Sequence, residues 1–202
     1  VGGKPNGKGR AVYSNGDTYE GEFVKGLRHG EGTFNYADGS RYEGNWTNNE
    51  RNGKGTFYAV NNNRYVGLWY RNKKEGSGTM YYYNGARYEG SWKNDKRNGK
   101  GLYTYENGAF YKGDWVDDKK SGKGIFDWGD GEKYEGSWAN NERNGRGTYF
   151  YATGDYYVGD WKNDMQDGRG IYKFKNGDVY EGQYLLGERS GEGTMRFASG
   201  DT

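Results

Sequence analysis

The sequence contains no cysteine, a single proline and a single histidine. Without cysteine the chain can form neither a disulfide framework nor a thiolate metal site, which is compatible with a reducing cytosol. The one histidine, His29, falls in a predicted loop and leaves almost nothing for a Ser-His-Asp arrangement or a histidine-based zinc site. We therefore predict no catalytic residues, no metal and no cofactor, and a chain that is not an enzyme.

Aliphatic residues and long apolar runs are also scarce. No run is long enough to span a membrane, and no signal peptide is visible. A composition so poor in Leu, Ile, Val and Phe is ordinarily typical of disorder, but 22 Tyr and 7 Trp supply apolar surface in their place. The net charge of +2 does not by itself indicate binding to nucleic acid, and we predict no nucleic-acid partner.

What the sequence does contain is one unit copied end to end. A tyrosine recurs every 23 residues without a change of register, at Tyr19, Tyr42, Tyr65, Tyr88, Tyr111, Tyr134, Tyr157 and Tyr180. A fixed period of this size indicates a repeat array. We predict one continuous array over residues 1–202, with a half repeat at 1–18 and full repeats starting at these tyrosines. Because the chain begins in mid-repeat, we expect a segment of a longer array.

Each unit reads as two strands. Tyr88–Trp92 and Gly99–Tyr105 both alternate aromatic or glycine residues with polar ones, the period of a strand with one apolar face. Both aromatic rows should share that face. The predicted register sets Tyr88 opposite Tyr105, Gly90 opposite Tyr103 and Trp92 opposite Gly101.

The connection between units reads as a three-residue turn with a bulge. It needs a residue with positive φ, which Gly108 supplies, and Asn62 replaces that glycine in one unit. Successive hairpins then form an all-β fold: a single-layer, elongated antiparallel β-meander with no helix.

The pattern YEGxW, then GxG and a turn glycine at this period, resembles the MORN repeat over essentially the whole chain. The resemblance implies a single-layer antiparallel sheet with a groove and no catalysis by the repeat itself. MORN arrays occur in cytoskeletal scaffolds of parasites, in radial spokes of cilia and in junctional membrane proteins. Their proposed roles are protein assembly and phospholipid association.

An aromatic stripe is the first candidate site. Nothing in a single-layer sheet covers its apolar face, and uncovered aromatic patches usually mark contact sites. A helical peptide is the natural ligand for such a groove. The candidate partner-binding residues are Trp46, Trp69, Trp92, Trp115, Trp138, Trp161, Tyr88 and Tyr111.

A basic row is the second candidate site. It stands at the ninth residue after each repeat tyrosine, in what reads as a long polar loop, and would form one solvated rim or dock on anionic phospholipid. The lipid candidates are Arg28, Arg51, Lys74, Arg97, Lys120 and Arg143. Lys54, Lys100, Lys123, Arg146 and Arg169 are expected on the same side.

The last repeat is the third candidate site, since it is more aliphatic than the others and ends in an open strand edge. We predict an antiparallel homodimer through Tyr184, Leu185, Leu186, Met195 and Phe197.

Together these features predict a scaffold that dimerises and binds protein partners in an aromatic groove, in a cytoskeletal or cortical assembly. The alternative is a peripheral membrane module bound to anionic phospholipid. Either function places the protein in the cytoplasm, at the cytoskeleton, or peripherally at a membrane or cilium.

Overall fold

The computed structural model describes residues 3–201, and this part of the chain holds strands and no helix. The strands are β1 (Gly7–Val12), β2 (Thr18–Val24), β3 (Leu27–Asn35), β4 (Arg41–Thr47), β5 (Glu50–Tyr58), β6 (Arg64–Tyr70), β7 (Lys73–Tyr81), β8 (Arg87–Lys93), β9 (Lys96–Thr104), β10 (Phe110–Val116), β11 (Lys119–Asp127), β12 (Lys133–Ala139), β13 (Glu142–Phe150), β14 (Tyr156–Lys162), β15 (Met165–Lys173), β16 (Val179–Leu185) and β17 (Glu188–Arg196).

Strands that follow one another in sequence pair antiparallel, and the sheet has 17 strands. The prediction of an all-β antiparallel meander of hairpins is confirmed. Contacts between Cα atoms divide the chain into two compact units, Val1–Gly99 and Lys100–Thr202. The same hairpin is repeated inside each unit.

Two kinds of turn alternate along the chain. Within a repeat, a two-residue turn such as Asn48-Asn49 has positive φ at both positions (50° and 70°), the conformation that suits a tight hairpin. Between repeats, the amide of Gly39 donates to the carbonyl of Tyr36 over 3.0 Å, and Gly39 has a φ of 92°. Asn62 takes the same place with a φ of 65°. The predicted three-residue turn is therefore confirmed.

The register inside the hairpin differs from the prediction. Tyr42 stands opposite Phe57 and Gly44 opposite Gly55, whereas the predicted register would set Tyr42 opposite Ala59. The other hairpins described repeat the observed pairing, as in Tyr134 with Tyr149. The predicted register is wrong by two residues.

A bulge at the first glycine of each GxG causes this shift. In the repeat that starts at Tyr42, the pair Gly44–Gly55 is followed by the pair Trp46–Arg51. Between these two pairs, around Gly53, the longer strand therefore contains more residues than the shorter strand. Gly53 has a φ of 101°, a left-handed conformation that favours glycine. On its other side Gly53 stands opposite Trp69 of the following repeat.

The core is a layer of aromatic rings on one face of the sheet, which we call the aromatic face. Both aromatic rows lie on it, as predicted. The repeat tyrosine lies flat over the paired glycines, and a methyl group added to Gly55 would come within 2.2 Å of the Tyr42 hydroxyl. Tyr42 is completely buried and Trp46 is 3% exposed. Glycine is thus required wherever a ring rests directly on the backbone.

Candidate partner-binding face

The repeat tyrosines from Tyr19 to Tyr157 and the six repeat tryptophans are each fixed by a hydrogen bond to the backbone. The Tyr42 hydroxyl donates to the carbonyl of Asn45 over 3.0 Å, and the indole N–H of Trp46 donates to the carbonyl of Gly32 in the preceding repeat over 3.1 Å. Burial raises the pKa of the Tyr19 and Tyr134 hydroxyls to about 12, so they stay neutral donors at physiological pH. The rings are therefore held in one orientation.

The basic row lies in strands, not in loops, so the predicted placement is wrong. The two-residue turn is shorter than the expected loop, and the row begins the longer strand of each hairpin. Its charged groups stand 4.3–4.5 Å from the centres of the tryptophan rings in the next repeat. The cations with this geometry are Arg28, Arg51, Lys74, Lys120 and Arg143. Arg97, in β9, lies 5.7 Å from the Tyr88 ring centre.

Arg28, Arg51 and Arg143 are anchored both by their backbone amide and by their guanidinium group. Arg51 donates from its guanidinium to the carbonyl of Asn72 over 2.8 Å, while the Asn72 side chain accepts from the Arg51 amide over 2.9 Å. Arg143 and Asp164 repeat the arrangement and add an ion pair of 3.0 Å. A cation–π contact and a backbone hydrogen bond thus link each such repeat to the next.

The cations close the aromatic stripe from above. Tyr88 and Tyr111 are completely buried, and the predicted tryptophan sites Trp46, Trp69, Trp92, Trp115, Trp138 and Trp161 are 3–5% exposed. Their rings form the floor of the aromatic face rather than its surface. A partner lying on this face meets other side chains first.

The accessible rings stand at the turns between repeats. In the unit Lys100–Thr202 the half-buried turn rings are Tyr105, Trp128, Tyr151 and Phe174. They alternate with the strand rings Tyr103, Phe126, Tyr149 and Tyr172, and neighbouring ring centres lie 4.5–5.6 Å apart. We call these eight rings the turn-ring ladder. Tyr105 lies just outside β9 and not in a strand as predicted, and the turn rings were not among the predicted site residues. Their position just before the turn glycine nevertheless repeats along the sequence as that of the tryptophans does.

Carboxylates border the turn-ring ladder. The Tyr149 hydroxyl donates to Glu132 in a short hydrogen bond, and the Tyr172 hydroxyl donates to Asp155 over 2.9 Å. The backbone amide of Lys175 donates to Asp155 over 2.8 Å and, with Tyr172, lowers the pKa of that carboxyl group. Asp155 is therefore ionised at neutral pH, and this edge of the aromatic face carries negative charge.

The second basic set lies on the opposite face of the sheet. Lys54 lines an open groove of about 470 Å³ beside Val66 and Leu68, and Arg146 and Arg169 line one of about 560 Å³. The prediction that these cations share a side with Arg28 and Arg51 is wrong. Lys54 directly precedes Gly55, whose Cβ position faces the Tyr42 ring, and successive residues of a strand point to opposite faces. Lys100 pairs with Asp114 at 2.5 Å.

The predicted dimer residues differ widely in exposure. Tyr184 is 5% exposed and takes the tryptophan place in its repeat, whereas Leu185 and Leu186 are 56% and 66% exposed at the two-residue turn. Met195 is half-buried opposite Tyr180, and Phe197 is 47% exposed.

His29, the one histidine, lies in β3 opposite Glu22 and not in the predicted loop. Among residues 3–201, no group of three or more His, Asp or Glu side chains is placed to hold a metal ion. No helix long and apolar enough to cross a membrane occurs in the part of the chain that the structure describes.

The repeated hairpin, with its two alternating kinds of turn and its row of buried tyrosines and tryptophans, defines the chain as a repeat array. The MORN repeat family model matches residues 1–18, 19–41, 42–64, 65–87, 88–110, 111–133, 134–156, 157–179 and 180–202. The chain belongs to the MORN repeat family.

Two solved structures share the fold. The CPAP G-box domain, for which a role in centriole elongation has been suggested, is 12% identical with a TM-score of 0.56, covering 95% of this chain and 99% of that domain. The TCP10 domain of Danio rerio CPAP, solved with a peptide of Danio rerio STIL, is 13% identical with a TM-score of 0.53, covering 89% and 80%. A search of curated proteins finds no match.

Proposed function

We propose that this chain is a non-catalytic scaffold that binds protein partners on its aromatic face, within a cytoskeletal or cortical assembly. The turn-ring ladder carries the proposal. It presents a row of half-buried aromatic rings, and Tyr and Trp are the residues that most often dominate protein interfaces. The cations that cover the buried tryptophans also contact the rings of the ladder, as Arg143 does when it lies 5.3 Å from the Tyr149 ring centre.

The comparisons support this choice in two ways. The chain is an array of MORN repeats, for which the family resemblance implies a role in protein assembly, and the fish CPAP domain that shares the fold was solved with a peptide bound. That neighbour also motivates the cytoskeletal setting, since the related G-box domain is discussed in centriole elongation.

A peptide-display selection tests the proposal. Wild-type protein is the bait, and each enriched peptide is then titrated against wild type and the double variant Trp128→Ala/Tyr151→Ala. Alanine is compatible with the turn, because Ala59 occupies the equivalent place in another repeat. We expect enriched peptides to lose at least about tenfold in affinity for the variant. A selection without binders, or binders indifferent to the variant, contradicts the proposal.

Dimerisation through the last repeat is a separate proposal. Leu185 and Leu186 are exposed apolar side chains at the two-residue turn of that repeat, and Phe197 is exposed at the other end of β17. Light scattering at micromolar concentration should give the mass of a dimer, and Leu185→Asp/Leu186→Asp should give a monomer. A monomeric wild type removes this proposal and leaves partner binding untouched.

Anionic phospholipid remains the second candidate function, favoured by the tips of the two-residue turns. Tyr70 and Val116 are 52% and 51% exposed there, and Arg71 and Lys119 are exposed beside them. Exposed apolar side chains next to cations suit the surface of an anionic membrane.

Flotation with phosphoinositide vesicles at near-physiological salt tests the lipid function. Arg71→Glu/Lys119→Glu should abolish flotation if the turn tips bind. Arg97→Glu/Lys120→Glu tests the basic row that the sequence favoured. Absence of flotation by wild type rules out the lipid function.

A further inference from the structure

The partner of the turn-ring ladder is defined by spacing and charge. We infer that the ladder binds a basic, proline-rich segment in the polyproline II conformation, with one proline entering each furrow between successive turn rings. This inference rests on the proposed function, and it replaces the helical peptide expected from the sequence. It concerns only the unit Lys100–Thr202.

Furrows recur once per repeat along the ladder. Trp128 and Tyr151 form the walls of one furrow, and Tyr149 lies between them, 5.5 Å from Trp128 and 4.7 Å from Tyr151. Tyr105 and Trp128 enclose the preceding furrow over Phe126, which is 9% exposed. Each furrow is therefore a shallow depression with a turn ring on both sides and a strand ring as its floor, on which a proline ring can lie.

The distance between furrows follows from the sheet. One repeat contributes two strands about 4.8 Å apart, so equivalent furrows are about 9.6 Å apart. A polyproline II helix has three residues per turn and rises about 3.1 Å per residue, so every third residue returns to the same side after about 9.3 Å. Over the three intervals from Tyr105 to Phe174 the mismatch is only about 1 Å.

Other conformations fit this spacing less well. A β-strand returns to the same side every two residues, or about 6.7 Å, which does not match the furrows. An α-helix returns after seven residues, or about 10.5 Å, and its mismatch grows to about 3 Å over the same intervals. Polyproline II segments also lose little conformational entropy on binding, and aromatic surfaces are their usual receptors.

Charge selects the other residues of the ligand. Glu132 and Asp155 accept hydrogen bonds from the ladder tyrosines, and the turns of this unit contain further carboxylates. The charged residues of these turns are Glu106, Asp130, Glu132, Asp155, Lys175 and Asp178. Five of these six are acidic. The other side of the ladder, toward the two-residue turns, carries Lys120, Arg143 and Arg189, whose charged groups lie 4.7–5.5 Å from the Phe126, Tyr149 and Phe174 ring centres. Lys or Arg is therefore favoured over Asp or Glu at the ligand positions that face the acidic turns.

Fluorescence polarisation with synthetic peptides tests the inference. The probe is a labelled peptide of about 15 residues made of Pro-Pro-Arg triplets, long enough to cross all three furrows. One comparison peptide replaces each Pro by Ala and keeps the charge, and another replaces each Arg by Glu. A third is an amphipathic helical peptide of equal charge. We expect the first peptide to bind at least about tenfold more tightly than each of the others.

Protein variants locate the binding. Trp128→Ala/Tyr151→Ala should weaken the Pro-Pro-Arg peptide at least about tenfold, and Glu106→Gln/Asp130→Asn should weaken it about threefold and reduce its salt dependence. Tyr70→Ala, which removes an exposed ring in the unit Val1–Gly99, should have no effect.

Three outcomes overturn the inference. Equal binding of the Pro and Ala peptides shows that charge alone acts. No binding below about 1 mM shows that the furrows reject the ligand. Tighter binding of the helical peptide, sensitive to the ladder variant, refutes the polyproline II ligand while upholding the proposed function. By contrast, display binders indifferent to the variant refute that function itself.

Discussion

The guanidinium carbon of Arg51 lies 4.3 Å from the centre of the Trp69 ring, and the same guanidinium donates to the carbonyl of Asn72. Arg51 and Trp69 belong to neighbouring repeats, so this contact joins them. It also covers an indole that no second layer of structure reaches. The single-layer sheet thus covers its own core with cations.

Replacing Arg51 should uncover that core. Arg51→Ala removes the cation–π contact and the hydrogen bond to Asn72, and we expect a loss of about 1–3 kcal/mol in unfolding free energy. Acrylamide should quench tryptophan fluorescence more strongly in the variant. Arg51→Lys is the matched control, since Lys74 makes the equivalent contact with Trp92 at 4.4 Å. An Arg51→Ala protein with wild-type urea midpoint and quenching would refute the role of this contact.

Two glycines with different surroundings should respond differently to alanine. At Gly55 the new methyl group would lie 2.2 Å from the Tyr42 hydroxyl, so the ring must leave the core, and we expect a loss of about 3 kcal/mol or more. Gly39 has a φ of 92° but nothing within 4 Å, and Gly39→Ala should cost about 1 kcal/mol for the backbone conformation alone. Urea denaturation measures both. Equal losses would contradict the close approach at Gly55.

The side chain of Asn72 should matter beyond its turn. Asn72 has a φ of 68° and accepts a hydrogen bond from the Arg51 amide. Asn72→Gly keeps the conformation and loses the hydrogen bond, at about 1 kcal/mol, whereas Asn72→Ala adds left-handed strain of about another 1 kcal/mol. Gly187 already occupies this place in the last repeat. Chemical denaturation should rank the proteins as wild type, then Gly, then Ala, and any other order counts against the account.

Stability should fall in alkali. The pKa of Tyr19 and of Tyr134 is raised from 10 to about 12 by burial, so between these values the folded protein binds more protons than the unfolded chain. The contribution of these groups is complete below pH 10 and is lost as the pH rises through about 12. The urea midpoint should therefore decrease from pH 10 upward, in step with tyrosinate absorbance. A constant midpoint up to pH 12 would contradict this burial.

Much of the fold follows from the sequence, because turn and strand signals repeat in phase. The positive φ at Asn62 and the shared face of the two aromatic rows could be predicted, since each depends on local conformation or on a period of two. The register could not. Gly53 and Gly55 look alike in GxG, yet one opens a bulge and the other supports a ring, and only the pairing of the strands distinguishes them.

The candidate site was harder to predict for a similar reason. Arg51 follows a polar turn, and its sequence position alone predicts a solvated charge. In the structure its side chain lies over Trp69 of the following repeat. The sequence pattern of a single repeat does not show which side chains of neighbouring repeats come into contact. Trp128 and Tyr151 were overlooked because residues beside a turn glycine are ordinarily assigned to the turn alone.

The most direct test of the partner-binding face is to map a bound peptide on the protein by amide chemical shifts. A peptide from the display selection is added to isotope-labelled wild type. We predict that the largest shifts cluster at Tyr105, Trp128, Tyr151 and Phe174 and are absent from the Trp128→Ala/Tyr151→Ala variant. Shifts centred instead on Arg146 and Arg169, on the opposite face, would contradict the account.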